Sequence, residues 1–181
     1  MSKNIRFRGQ NIKIQIWDSA GQEKYRVLIP SYVRNSSIVF IVYDISNRTS
    51  FDNVPNWISF VKNIEKPIMI LCGNKSDLNR EVNKNEAEEL SKKEGILFFE
   101  CSAKTNENIK NIFYSSICRL PTFGVFDEQE RDNIIKELLE ENRGDDSQNK
   151  SQQENLVQPS LKMNVNGEMT SGNTRKKGCG C

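Results

Sequence analysis

Trp17-Asp18-Ser19-Ala20-Gly21-Gln22-Glu23 is the stretch on which the reading of the fold turns. It follows Asn11-Ile12-Lys13-Ile14-Gln15-Ile16, where apolar and polar residues alternate with the period of a strand, so the Asp18 carboxylate emerges at a strand's end. Gly21 removes a side chain where a backbone N–H could approach a phosphate, and the Gln22 amide beside it can orient a water. A carboxylate, an open backbone and an amide together suggest nucleotide chemistry. An Asp-x-x-Gly arises by chance roughly once in 300 positions, so the case depends on what else the chain carries.

Two later stretches carry it. Asn74-Lys75-Ser76-Asp77 follows the apolar run Ile68-Met69-Ile70-Leu71-Cys72-Gly73, and Ser102-Ala103-Lys104 follows Ile96-Leu97-Phe98-Phe99-Glu100-Cys101. Each leaves a strand. In an open α/β sheet the loops after the strands lie along one edge, where ligands bind, so the three loops are expected to converge. Asp77 is a carboxylate that could accept two adjacent N–H groups of a base in a bidentate manner, and a base without them would leave it unpaired.

These residues resemble the guanine-nucleotide-binding motifs of the Ras superfamily, and within it the chain resembles a Rab. Lys13-Ile14-Gln15-Ile16-Trp17, Lys24-Tyr25-Arg26-Val27-Leu28-Ile29 and Ile41-Val42-Tyr43-Asp44-Ile45-Ser46 are similar to Rab signatures on and beside the switch. Leu28-Ile29-Pro30-Ser31-Tyr32 points toward the Golgi-associated Rabs. The resemblance implies an α/β small GTPase domain of the P-loop NTPase type, a mostly parallel sheet with helices on both faces. It implies GTP/GDP and Mg²⁺ as cofactors and a GTPase activity in vesicle traffic. It assigns Asn74 to the purine's other edge, the Lys75 and Lys104 stems to the ring faces, and the Ser102 loop with the Ala103 N–H to the carbonyl oxygen. At the phosphate end Asp18 would hold Mg²⁺ through water, the Gly21 N–H would meet the terminal phosphate, and Gln22 would position the attacking water. Loss of that phosphate would release the loop, so effectors, exchange factors and activating factors would sense the nucleotide through residues such as Tyr25, Arg26 and Ile29. Ser19 stands where the family usually has threonine, and the hydroxyl is kept.

Composition narrows the alternatives. The 181 residues include 26 Lys and Arg against 24 Asp and Glu, a net charge of +2 with no aromatic-interleaved basic stripe, which argues against nucleic acid. There is no histidine, which removes the commonest zinc ligand and the commonest general base. Of five cysteines, Cys72, Cys101 and Cys118 lie in apolar elements and behave as small hydrophobes, the usage of a reduced, intracellular protein. The longest apolar run, Ile38 to Tyr43, is far short of the ~20 residues a membrane span needs, and the N-terminus has no signal-peptide character.

Taken in order, residues 4–8 and 12–17 read as a hairpin, and Asp18 to Ser37 as a loop with a short helix. Ile38 to Tyr43 reads as a strand buried on both faces. Thr49 with Asp52 suggests a capping box, after which Phe51, Val54, Ile58, Val61 and Ile64 recur at helical spacing, with Pro55 early enough to bend the helix. Asn83 and Glu86 open a helix that Gly95 stops, and Ile109, Ile112, Phe113, Ser116, Ile117 and Leu120 mark another, ended by Pro121. This gives a partial small GTPase domain over 1–121 and a helical extension over 122–142, read as solvated. Residues 143–181 read as a disordered tail, Asn- and Ser-rich as far as about 174. Arg175-Lys176-Lys177-Gly178-Cys179-Gly180-Cys181 resembles the Rab Cys-x-Cys terminus, which implies two geranylgeranyl groups added by the prenylation machinery on Cys179 and Cys181. Two lipids give stable anchoring where one does not, so the cytoplasmic face of Golgi or Golgi-derived membranes is the expected address.

The chain departs from the family at its front. It contains no Gly-x-x-x-x-Gly-Lys-Ser/Thr and no first switch, so it reads as truncated before a βα unit whose strand would lie between the strand ending at Trp17 and the one ending at Asp44. Either the neighbouring strands close over that gap or the fold fails. With no phosphate cradle, the 181 residues are expected to bind GTP weakly.

Overall fold

In the computed structural model the described residues are 1–7, 10–19, 28–141 and 161–164. The alternation in the first segment becomes a hairpin, β1 (Ser2–Phe7) paired antiparallel with β2 (Gln10–Asp18). Ile12, Ile14 and Ile16 face one side of it and are buried. After β2 come a short helix α1 (Ile29–Arg34), β3 (Ile38–Asp44), helices α2 (Arg48–Asp52) and α3 (Val54–Lys62), and β4 (Ile68–Asn74). Helix α4 (Lys84–Glu94), β5 (Leu97–Glu100), α5 (Ile109–Ile117), a 3-10 turn at Pro121–Phe123 and α6 (Glu128–Glu141) follow.

The helix that was read as continuous from Thr49 is two. The Asn47 side chain caps α2 by accepting from the Ser50 N–H at 3.1 Å, two residues ahead of the expected start. Asn53 then separates α2 from α3, with Pro55 in the first turn of α3, where its missing N–H costs nothing. Helix α4 begins and ends as its residues dictate. Asn83 accepts from the Asn85 N–H at 3.0 Å, and Gly95 closes the helix at φ +68°, a conformation that favours glycine. Helix α5 stops at Ile117, ahead of Pro121.

Strands β3, β4 and β5 are parallel, with Ile38 opposite Ile68 through Asp44 opposite Asn74. β3 alternates between two cores. Ile38 and Phe40 join the β1–β2 isoleucines, α5 and α6, while Val39, Ile41 and Tyr43 join α1, α2, α3 and α4 on the other face. Helix α6, read as a solvated extension, instead buries Ile134, Ile135 and Leu138 among Ile5, Phe7 and Leu120. Its exposed face is charged, but its apolar stripe covers the half of the sheet that α5 alone would leave open.

The expected gap between β2 and β3 neither closes nor breaks the fold. A sixth strand, β6 (Leu161–Asn164), from the segment read as tail, fills it and gives the order β1-β2-β6-β3-β4-β5. It runs antiparallel to both neighbours, with Asp18 opposite Leu161 and Gln15 opposite Asn164 on one side. On the other side Ile38 pairs with Met163 and Val39 with Lys162. β2 and β3 therefore point the same way, and the C-terminal ends of β2, β3, β4 and β5 share one edge of the sheet. No helix among the described residues is long and apolar enough to cross a membrane.

Candidate functional site

The loops leaving β4 and β5 are stitched into one surface. The Cys101 N–H donates to the Gly73 carbonyl at 2.9 Å and the Ser76 N–H to the Cys101 carbonyl at 3.0 Å, which continues the β4–β5 ladder past its last rung. On this scaffold the Asn74 side-chain oxygen accepts the Ala103 N–H at 3.1 Å. The Ser102 hydroxyl donates to the Asp77 carboxylate at 2.5 Å and accepts the Thr105 N–H at 3.1 Å. Ser102 is fully buried, so its hydroxyl is a fixed post for Asp77. The ammonium of Lys104 lies 3.7 Å from the other Asp77 oxygen, too far for a strong hydrogen bond and easily displaced, its side chain being 80% exposed. The hydrogen bond from Ser102, helped by the Lys104 charge, holds the Asp77 carboxyl below the usual carboxylate range. Asp77 is thus ionised at neutral pH and oriented, with one oxygen lightly held.

Lys75, between Asn74 and Asp77, adopts φ +66°, the left-handed region that a lysine seldom enters. Its ammonium meets the Asp44 carboxylate at 2.5 Å, while the Ser46 N–H and hydroxyl donate to the other Asp44 oxygen at 2.8 and 2.6 Å. Burial pushes the Asp44 carboxyl up, but the bonds from Lys75 and Ser46 outweigh it and leave the group below its ordinary value. Two contributors were not legible in the sequence. One is Asp44, which ties the end of β3 to the Asn74 loop. The other is Glu107, whose carboxylate accepts from the Ser76 hydroxyl at 2.7 Å and whose carbonyl accepts the Ser102 N–H at 3.2 Å. A carboxylate five residues after Ser102 is an unremarkable sequence feature, and only the turn through Asn106 and Asn108, both at positive φ, returns it to the loop.

Asp18 ends β2 on the same edge but across β6 and β3 from Asn74, three strand spacings or roughly 14 Å away. Base-end and phosphate-end residues are therefore brought to one edge and kept apart along it. Gly21, Gln22, Tyr25 and Arg26 lie outside the described residues, as do Cys179 and Cys181. Ile29, expected to face partners, opens α1 on its buried side, while Leu28 and Trp17 are the exposed apolar groups of this region. Trp17 stacks on Tyr32 with ring centroids 5.3 Å apart.

Residues 1–121 match the sequence model of the Ras family. The chain belongs to the Ras family. It is 44% identical over 116 residues to Ras-related protein Rab-4 of Dictyostelium discoideum, covering 62% of this chain and 57% of that one. To Ras-related protein RABA6b of Arabidopsis thaliana it is 40% identical over 122 residues, covering 65% of this chain and 53% of the relative. The chain spans about half the length of the curated relatives it matches.

In this Ras-family chain the residues at the two ends of the edge fit their expected ligands unequally. At the base end a carboxylate fixed by a buried hydroxyl, a backbone N–H and a side-chain amide converge, a donor and acceptor set suited to a purine edge. At the other end Asp18 is the single carboxylate assigned to Mg²⁺. Among the described residues no three His, Cys, Asp or Glu side chains cluster to hold a metal ion, and a magnesium ion reached by one carboxylate through water needs no such cluster. An apolar cavity of about 130 Å³ between β1, β2 and α5, lined by Ile5, Ile14, Ile16 and Phe113, is lined by none of these loop residues.

Proposed function

We propose that the chain is a Rab-type guanine-nucleotide-binding switch of vesicle traffic, whose base selectivity rests on Asp77. The observation that carries this reading is the Ser102–Asp77 and Asn74–Ala103 pair of bonds, which presents a prepositioned carboxylate beside an amide at the ends of two adjacent strands. Asp77 would accept the two guanine N–H groups by exchanging its long contact to Lys104 for them. Asn74 would meet the purine's other edge and the Ala103 N–H, on leaving its bond to Asn74, the carbonyl oxygen, with Lys75 and Lys104 against the ring. Asp18, Gly21 and Gln22 would serve the phosphates, Mg²⁺ and the attacking water, giving hydrolysis of GTP to GDP and phosphate. Effectors and regulators would act on the segment after Asp18. Prenyl groups on Cys179 and Cys181 would place the protein on the cytoplasmic face of membranes, with Golgi-derived vesicles favoured by Leu28-Ile29-Pro30-Ser31-Tyr32.

The test is base choice. Asp77→Asn exchanges an acceptor for a donor, so the variant is expected to lose affinity for guanosine diphosphate by about 5- to 150-fold, from the ~1–3 kcal/mol of the lost pairing. It is expected to gain preference for the xanthosine analogue. Unchanged guanosine preference in a fluorescent-nucleotide titration would reject the role of Asp77.

A second reading is favoured by β6. The sheet position where the family's phosphate-loop strand is expected is taken by Leu161–Asn164. On that reading the chain is a non-catalytic Rab-like protein that competes for effectors. Sub-micromolar GTP affinity of the 181-residue chain would exclude it.

A further inference from the structure

We propose that Asp44 is a positioning residue of the base site, one that does not touch the purine but holds Lys75 in the backbone conformation that presents Asn74 and Asp77 together. This role rests on the guanine reading above and adds a third strand end to it, because Asn74, Asp77 and Ser102 belong to the ends of β4 and β5 while Asp44 ends β3. The Asp44 carboxylate divides its two oxygens between two loops. One accepts the Ser46 N–H at 2.8 Å and the Ser46 hydroxyl at 2.6 Å, which orients the group from within its own turn. The other meets the Lys75 ammonium at 2.5 Å. The turn is itself secured: the Asp44 N–H donates to the Ser50 hydroxyl at 3.0 Å, and the Ile45 N–H to the Asn74 carbonyl at 3.0 Å. The two side chains are 20% and 30% exposed, so salt screens this pair less than it screens an open surface pair.

Lys75 needs such an anchor. At φ +66° it occupies the left-handed region, which is disfavoured by about 5- to 30-fold for a residue that carries a Cβ. Glycine would escape that penalty, but glycine has no stem to lay against a ring. The neighbours depend on the same conformation. The Leu78 N–H donates to the Lys75 carbonyl at 2.9 Å and closes the turn that carries Asp77, the Ser76 N–H reaches the Cys101 carbonyl, and the Asn74 side chain accepts the Ala103 N–H. With its ammonium released, the loop would hold the competent geometry for only a fraction of the time, and the apparent affinity for a base falls by that fraction. Asp44 thus acts on affinity, where Asp77 acts on the choice of base.

Two measurements on the full chain decide it. The first uses no nucleotide. In Asp44→Asn, amide exchange at Ser76, Leu78 and Ala103 is expected to quicken by about fivefold or more while Ile70 and Leu71 in β4 stay protected. Lys75→Met keeps an unbranched stem, removes the ammonium and should loosen the same three amides, which keeps the test decisive where Asp44→Asn fails to fold. The second is affinity for guanosine diphosphate, by fluorescent-nucleotide titration of the parent, Asp44→Asn, Lys75→Met and the double variant. Each single change is expected to weaken binding by about 5- to 30-fold, and the double change by no more than either, since both remove one contact. Unchanged exchange at the three loop amides, or losses that multiply in the double variant, would overturn the role of Asp44 alone. A parent chain that binds no guanosine diphosphate would instead overturn the guanine reading itself.

Discussion

Gly73→Ala is the substitution whose consequence the structure fixes most closely. Gly73 is buried in β4, directly opposite Tyr43 of β3, and it immediately precedes Asn74. A Cβ at Gly73 would stand 2.7 Å from the Tyr43 hydroxyl oxygen, 3.0 Å from Tyr43 Cζ and 3.0 Å from Ile45 Cγ2. The Tyr43 ring cannot retreat, because the side chain is 2% exposed and packs on Phe51 with centroids 5.0 Å apart. Overpacking of this kind costs ~1–3 kcal/mol, against which a Gly to Ala change recovers ~0.4–1 kcal/mol from the unfolded chain. The net expectation is ~1–2 kcal/mol of destabilisation, or a fall of about 2–8 °C in Tm for a protein of this size.

The same contact yields a control. The Tyr43 hydroxyl is buried with no hydrogen-bond partner among the described residues, and burial pushes its pKa up. Tyr43→Phe therefore removes an unsatisfied group and is expected to be neutral or stabilising by up to ~1 kcal/mol. In the Tyr43→Phe background the nearest obstructing atom is gone, so Gly73→Ala should cost less there, with a coupling of ~0.5–1.5 kcal/mol. Urea denaturation of the four chains, with equal m-values, measures this. A Gly73→Ala cost below ~0.3 kcal/mol, or the same cost in both backgrounds, refutes the reasoning.

Two further expectations concern pH. Asp44 is a carboxyl held below its ordinary value, so it stabilises the fold above the unfolded carboxylate range and loses that contribution as pH falls through its folded value. Asp44→Asn should accordingly lower the urea midpoint at pH 7, and the difference from the parent chain should shrink as pH falls below the ordinary carboxylate value of 3.8. Burial, with Glu107 and Glu100 adding repulsion, pushes the Cys101 thiol from 9.0 up to about 11. The unfolded chain ionises first, so stability is full below the ordinary thiol value and declines as pH rises toward 11. Cys101→Ala should make that decline shallower in denaturation curves taken across the interval, and an unchanged slope would contradict the assignment.

Much of the frame was legible because local pattern and tertiary demand agree there. Lys13 and Gln15 alternate with buried isoleucines, and Asn83 and Gly95 cap α4 as their chemistry requires. The family itself was legible from loop residues that no core needs. What escaped was non-local. The α2–α3 break falls at Asn53, just ahead of Pro55, where the helical period predicts no more than a bend. Ile134, Ile135 and Leu138 look like the modest apolar side of a charged helix until the open β1–β2 face that they cover is in view. At the loops, Asn74, Asp77 and Ser102 stand out in the sequence as the residues that leave β4 and β5, but the Asp44–Lys75 and Glu107–Ser76 contacts join residues 31 positions apart and have no local signature.

β6 is the extreme case, and its energetics explain why. Leu161-Lys162-Met163-Asn164 has two apolar residues in a polar neighbourhood and would not order alone. Fixing four residues costs ~4–8 kcal/mol of backbone entropy at ~1–2 kcal/mol each. Without it the facing edges of β2 and β3 carry N–H and C=O groups, each costing ~1–3 kcal/mol if buried and unpaired. Six residue pairings, four with β2 and two with β3, relieve enough of these to offset the ordering cost within a few kcal/mol. The strand is therefore specified by the backbone groups of β2 and β3 that it pairs with and not by its own side chains, which is why its sequence does not announce it.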